Sequence, residues 1–449
     1  MNTLLYQSIH QKQIWGNLKG SSLPLALAEL CENTSGIKLL IAQDSLSANQ
    51  LYDELIFFLN AKTTKQEILF FPDWETLPYD QFSPHQDLIS ERLNTLSRMQ
   101  QVSDAIIIAA ASTLMHRLCP PTFLNQFALM LKVGQKLDLE AFRNQLQQAG
   151  YHHTNKVLEH GEFALRGSII DVYPMGSPRP FRIELFDDEI DSLRQFDTET
   201  QRTIDKISEI NVLPAREFPL NEQSQLLFRR TFREMFPGNP SQCPIYEAIS
   251  EGQYPAGIEY YLPLFFENTV SLFDYLPENA TVCLIEQIQE HAEKFWFEAK
   301  ERYEQRRYDI SRPILAPELC FLNPIELLTR TNQYQQLRLY AEPSSRKGEV
   351  VNFNIVAAPP LPIDRKTQEP LCALRNYCAD NSRRYLLVAE SAGRREVLLD
   401  LLKPSSILTK NQPGWQEFIA DDAPINVTVG SLTQGCELVD QNLVIIVES

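Results

Sequence analysis

The sequence predicts an α/β protein: a mainly parallel sheet interrupted by a compact α+β insert and followed by a small α/β domain. Three observations lead there. Short apolar runs alternate with segments of helical periodicity from the start to about residue 125. Near Phe127 the pattern changes to closely spaced strand-like runs, and it changes back near Pro214. A Pro- and Ser-containing stretch then precedes a last block in which strand and helix signals alternate again.

Taken in order, Ile37–Ala42 (IKLLIA) is an apolar run short enough for a buried strand, and Ser45–Leu59 repeats its apolar residues at helical spacing. Glu67–Phe71 and Ala105–Ala110 (AIIIAA) are further strands flanked by helical segments. In the insert, FALMLKV reads as a strand and Leu139–Ala149 as an amphipathic helix. The strand-like runs GEFALRGSIIDVYP and PFRIELF follow, joined by the turn-rich Met175–Pro180, and Asp187-Asp188-Glu189 reads as a hairpin turn. Helices return with LNEQSQLLFRRTFREMF and QEHAEKFWFEAKERYEQRR, and the strand Thr281–Glu286 lies between them. The last block holds a helix near Pro370–Cys378, the strand RYLLVAE, the helix GRREVLLDLL and the strand NLVIIVES. The expected boundaries are 1–125 and 214–341 for the split α/β domain, 126–213 for the insert, 342–366 for a linker and 367–449 for the small domain. A sequence that stops just after an apolar strand is expected to belong to a longer natural chain.

Composition restricts the functional classes. With 449 residues, 43% hydrophobic and 22% charged, the chain is long enough for about three or four domains with real cores. No apolar run approaches the roughly 18 residues needed to cross a bilayer, and MNTLLYQSIHQKQIWG lacks the features of a secretory signal. No membrane association and a cytoplasmic location are therefore expected. The eight cysteines form no C-x-x-C pair and no H-E-x-x-H occurs, so buried reduced thiols are expected and no metal site. A formal charge of −17 opposes broad duplex binding. Arg229-Arg230 and Arg306-Arg307, set among acidic neighbours, read as solvated helix faces.

Nucleotide chemistry lacks its residues. A phosphate-cradling loop needs glycines and then Gly-Lys-Ser/Thr. The candidate segment, Gly16 to Ala26, has Gly16 and Gly20 but no Gly-Lys pair, and none occurs elsewhere; Ser21 and Ser22 are placed to cap the helix that follows. At the end of the strand TVCLIE, Glu286 and Gln287 stand where magnesium and water would require Asp-Glu. His152, His153 and His160 have no carboxylate or Cys to complete a ligand set, and no G-x-S-x-G occurs. No catalytic residue, bound cofactor or metal is expected in this chain.

Two stretches are more specific. One is Phe71-Pro-Asp-Trp-Glu-Thr-Leu-Pro-Tyr-Asp-Gln-Phe-Ser-Pro-His85, running on through QDLISERLNTL. The other is Gly161-Glu-Phe-Ala-Leu-Arg-Gly-Ser-Ile-Ile-Asp-Val-Tyr-Pro174, followed by PFRIELFDDEIDSLRQFDTETQRT. Both resemble transcription-repair coupling factors, and the resemblance covers essentially the whole chain. The second stretch also resembles the UvrA-binding domain of the repair helicase UvrB. The resemblance implies a degenerate helicase-like (P-loop-type) domain split by an insert that binds UvrA, then a small α/β domain of uncertain role. It also implies that the modules for RNA polymerase and for ATP- and magnesium-dependent translocation on duplex DNA lie in later regions. UvrB carries a long Tyr-rich hairpin that enters DNA; here Pro78–Glu91 is short and has only Tyr79.

In Phe181–Phe186, period-two alternation puts Phe181, Ile183 and Leu185 on one side and Arg182, Glu184 and Phe186 on the other. A phenylalanine among charges is either an interface anchor or a satellite core residue tucked under the turn. Arg166, in alternation with Ala164 and Ser168 and opposite Leu165 and Ile169, is either an interface residue or one half of a surface ion pair with Glu162 or Glu184. The resemblance places Arg166, Arg182 and Phe186 in the family's UvrA-contacting surface, the arginines pairing acidic groups and Phe186 as apolar anchor. Arg194 and Glu162 would be rim residues. The expectation is a non-catalytic recruitment module that binds UvrA and brings nucleotide excision repair to stalled RNA polymerase. The alternative is a DNA-dependent ATPase of UvrB type, opposed by the missing Gly-Lys pair. Intramolecular masking of the UvrA surface by a later domain is compatible with the first reading.

Overall fold

The computed structural model describes residues 4–7, 12–59, 66–362, 371–380, 382–403 and 407–448. The chain opens with β1 (Lys12–Gly16), α1 (Ser22–Asn33), β2 (Ile37–Ala42), α2 (Ser45–Phe58), β3 (Glu67–Phe71), α3 (Gln86–Met99) and β4 (Ala105–Ala110). Two short helices, α4 (Ala111–Leu114) and α5 (Pro121–Phe127), lead to β5 (Leu129–Lys132) and α6 (Leu139–Gln148). A run of strands follows: β6 (His152–His153), β7 (Glu162–Arg166), β8 (Ile169–Val172), β9 (Phe181–Phe186), β10 (Glu189–Phe196), β11 (Thr203–Ile207) and β12 (Glu209–Val212). Next come α7 (Glu222–Met235), α8 (Pro244–Ser250), β13 (Thr281–Ile285), α9 (Ile288–Arg306), α10 (Pro317–Cys320), α11 (Pro324–Thr331) and β14 (Gln335–Leu339). Then β15 (Glu349–Asn352), β16 (Ile355–Ala357), α12 (Cys372–Tyr377), β17 (Arg384–Ala389), α13 (Ala392–Leu402), β18 (Lys410–Asn411), α14 (Trp415–Ile419), β19 (Ile425–Val429), β20 (Cys436–Leu438) and β21 (Leu443–Val447) complete it.

Polar caps start several helices where the sequence changes period. Asp44, Asp138 and Asn221 each accept a hydrogen bond from a first-turn amide, and Asn323 with Glu326 closes a reciprocal box around Pro324. Ser21 and Ser22 depart from expectation: Ser21 makes no cap bond, and the Ser22 hydroxyl donates backwards to the Lys19 carbonyl.

The first sheet has the order β15-β1-β14-β13-β2-β4-β3, and its paired strands are all parallel. It draws strands from both sides of the insert. Alternation in its central strands splits the core in two. Ile37, Leu39 and Ile41 of β2, with Ala105, Ile107 and Ala109 of β4, join the core that includes α3, α9 and the insert. Leu40, Ala42, Ile106, Ile108 and Ala110 face the other way, toward α1 and α2. Because both faces are covered, these strands are continuous apolar runs.

The stretch 342–366 is not simply a linker. Within it β15 pairs with β1 at the edge of the first sheet, and β16 pairs with β20 in the last sheet; residues 363–366 lie outside the described residues. These strands are short and flanked by prolines and polar residues, and their partners lie far away in sequence, so local pattern does not expose them. The last sheet, β16-β20-β21-β17-β19-β18, also lies closer to the first than a tethered domain would. Leu386, Val388, Leu443 and Ile445 belong to one core with α1 and α2, while Tyr385, Leu387 and Val444 face α12 and α13. Helices α1 and α2 are thus sandwiched between two sheets. That is why α1, SLPLALAELCEN, is buried nearly all round.

Candidate functional site

The insert sheet runs β11-β10-β9-β8-β7-β6. Its inner face is apolar: Phe163, Ile170, Val172, Phe181, Ile183, Ile190 and Leu193 join the larger core. The antiparallel registers Arg166↔Ile169↔Glu184↔Ser192 and Ala164↔Asp171↔Arg182↔Arg194 define the outer face. Ile169 is on the same face as Arg166 and not opposite it. The two-residue turn at Gly167-Ser168, with Gly167 at φ +63°, pairs the two residues directly across the hairpin. The alternation expected for Phe181–Phe186 is present: 181, 183 and 185 are buried, and Phe186 is exposed.

Phe186 stands at the tip of the β9–β10 hairpin, 79% exposed, opposite Glu189. It does not tuck beneath the turn. Asp187, at φ +58°, turns the chain, and Asp188 accepts a hydrogen bond from Lys136 at 2.8 Å, which depresses the Asp188 carboxyl. The tip therefore presents a large apolar ring in an acidic collar.

The two arginines have different situations. Arg166 is exposed and donates through Nη2 to the Asn155 carbonyl at 2.6 Å, which positions it at the edge of the face. Arg182 is half-buried. Its Nε and Nη2 hold both oxygens of Asp171, at 2.7 and 2.8 Å, and its guanidinium lies 4.9 Å from the Phe196 ring centroid. The hydrogen bond to Asp171 raises the Arg182 pKa. Pairing of Arg182 with an outside acid would thus compete with an internal bidentate bond. Arg194 meets Glu184 at 3.3 Å. Glu162, expected at the rim, accepts the Leu158 and Glu159 amides and shapes the preceding turn. Asp171 was missed by sequence reasoning, although alternation in IIDV already sets it apart from Ile170 and Val172.

Glu286 accepts the Ala341 amide at 3.2 Å. Tyr79 is buried against Tyr260, Tyr303 and Phe321, so its ring is part of the core. Arg306 donates to the Tyr79 carbonyl, and Arg230 and Arg307 have helix-neighbour acids at 4.0 and 3.1 Å. Among the described residues no cluster of His, Cys, Asp and Glu has metal-binding geometry, and no helix is long and apolar enough to cross a membrane. The eight cysteines are free, seven of them buried and Cys372 exposed. His152 and His153 are exposed, whereas His160 bridges Asp87 Oδ1 at 2.7 Å and the Ser177 carbonyl at 2.8 Å.

Comparison with known proteins agrees with this architecture. Residues 129–218 match the UvrB interaction domain family, and residues 377–449 match the family described as the MFD D3 domain. A transcription-repair-coupling factor of Haemophilus influenzae is 41% identical over 433 residues, covering 96% of this chain and 37% of the relative. That of Escherichia coli is 38% identical over 440 residues, covering 98% and 38%. A Bacillus subtilis protein of the same name is 27% identical over 292 residues, which is 62% of this chain and 24% of that protein. The chain thus spans somewhat over a third of the length of the first two of these relatives, and across that span it belongs to the transcription-repair-coupling factor family.

Proposed function

We propose that this chain is a non-catalytic recruitment module that binds UvrA through the outer face of the β7–β10 sheet. The observation that carries the reading is Phe186, fully presented at a hairpin tip on a domain that matches the UvrB interaction family. An exposed aromatic ring ringed by charge has the composition of an interface anchor with a polar rim. Arg166 adds a directed, always-charged fork at the edge of the same face. Arg182 contributes chiefly by fixing Asp171 and the strand geometry beneath the anchor.

In the whole protein this docking would bring excision repair to a stalled RNA polymerase. Polymerase binding and ATP-driven translocation on duplex DNA would be supplied by regions outside this chain. Equilibrium titration against UvrA tests the proposal. Micromolar or tighter binding is expected, weakened at least tenfold in Phe186→Ala, about 1.4 kcal/mol. A folded wild-type chain that does not bind UvrA would remove the proposal.

A further inference from the structure

The loop between β1 and α1 sits at the carboxyl end of a parallel strand and the start of a helix. In parallel α/β sheets that is the usual place for phosphate, because free amides and the helix dipole converge there. Here a second part of the same chain occupies it. The Ser21 amide donates to the Gln434 carbonyl at 3.0 Å, and the Ser21 hydroxyl donates to the same oxygen. Gly20 is in the left-handed region at φ +55°, and a Cβ there would stand 2.6 Å from the Gly435 carbonyl oxygen. Four neighbouring amides also have partners: Asn17 donates to Glu342, Leu18 to Tyr340, Ser22 to Lys19 and Leu23 to Gly20, while Pro24 has none to offer.

The incoming loop is held from its other side. Glu54 of α2 accepts both the amide (3.0 Å) and the hydroxyl (2.6 Å) of Thr433. Burial pushes the Glu54 carboxyl up, opposed by these two bonds. Nearby, Gly430 lies against the Phe57 ring, Gln416 donates to the Phe58 carbonyl at 3.1 Å, and Asn17 donates to the Phe353 and Ile355 carbonyls at 2.7 and 3.0 Å.

We propose that Thr433–Gly435 is a resident ligand, carried by the chain itself, for the β1–α1 loop. A carbonyl oxygen takes the position at Ser21 where a phosphoryl oxygen would otherwise be bound. The last unit is therefore a fixed part of the split α/β domain, and the Ser21 amide and hydroxyl are satisfied without nucleotide. This does not depend on UvrA binding.

Native-state amide hydrogen exchange on the full chain tests it. In the wild type, Ser21 and Thr433 are expected to share one opening equilibrium, with protection factors equal within threefold and unchanged by millimolar ATP-magnesium or pyrophosphate. In Glu54→Ala both should exchange at least tenfold faster, although the hydrogen bonds of Ser21 go to Gln434 and not to Glu54. Acceleration at Thr433 alone, or unequal protection in the wild type, would overturn the coupling. Slower exchange at Ser21 with faster exchange at Thr433 on adding either anion would show a displaceable loop and overturn the resident role. Should Glu54→Ala not fold, the wild-type comparison still decides.

Discussion

The residues that identify the family in the sequence have structural work in the fold. Phe71 lies under the guanidinium of Arg92 at 4.2 Å, and Trp74 packs edge-on against His116 at 4.6 Å. Asp73 accepts from the Ser112 and Thr113 hydroxyls. Burial pushes the His116 imidazole down to about 4, against an opposing pull from Asp73. The sign follows from linkage. With the folded value below the ordinary 6.5, the unfolded chain takes up this proton first as pH falls. The contribution is complete above 6.5 and declines toward 4. Urea midpoints should therefore fall between pH 6.5 and 4.5, and His116→Phe, which fits the surrounding rings, should shrink that fall. Arg182→Ala would strand Asp171, which is 2% exposed, and should cost about 2–4 kcal/mol, a pair at the sheet surface costing less than a fully buried one. Phe186→Ala should change stability by less than about 0.5 kcal/mol while abolishing most UvrA affinity. Thermal unfolding of the two variants separates a strut from an anchor.

At the scale of elements, a few polar contacts attach the insert to α3. The pair Arg92–Glu217, at 2.6 Å and almost fully buried, joins α3 to the chain just beyond β12. His160 reaches Asp87 at the start of α3, and the Gly176 amide donates to the Ser90 hydroxyl at 2.8 Å. These bonds orient the β7–β10 face relative to the first sheet. Glu217→Ala would leave Arg92 buried without its carboxylate, and a loss of about 3–5 kcal/mol is expected in urea titration. The alternation of short strands with helices and the alternation within Phe181–Phe186 were legible because each depends on residues near in sequence, whereas the cap expected of Ser21 and Ser22 did not form. The Arg182–Asp171 bond was not, because it depends on which strand lies beside β9. The same holds for β15 and β16, whose partners β1 and β20 are far along the chain.

At the scale of the molecule, α1 and α2 form the middle layer between two sheets, and Trp415 meets Phe58 edge-on at 5.0 Å within that layer. Trp415→Ala should remove about 3–5 kcal/mol and shift the unfolding of both sheets together, read from exchange at β2 and β17 amides. Separate shifts would mean that the shared core does not couple them. The sequence by itself determined the α/β class, the interruption by the insert, the family and the outward side of β9, because periodicity and motif order are local properties of the chain. Only the tertiary structure decided that the last unit shares a core with the first, that Arg182 already has an acidic partner, and that Gln434 fills the loop at Ser21. Each of these is a contact between residues distant in sequence, fixed by how layers stack rather than by any pattern within a layer.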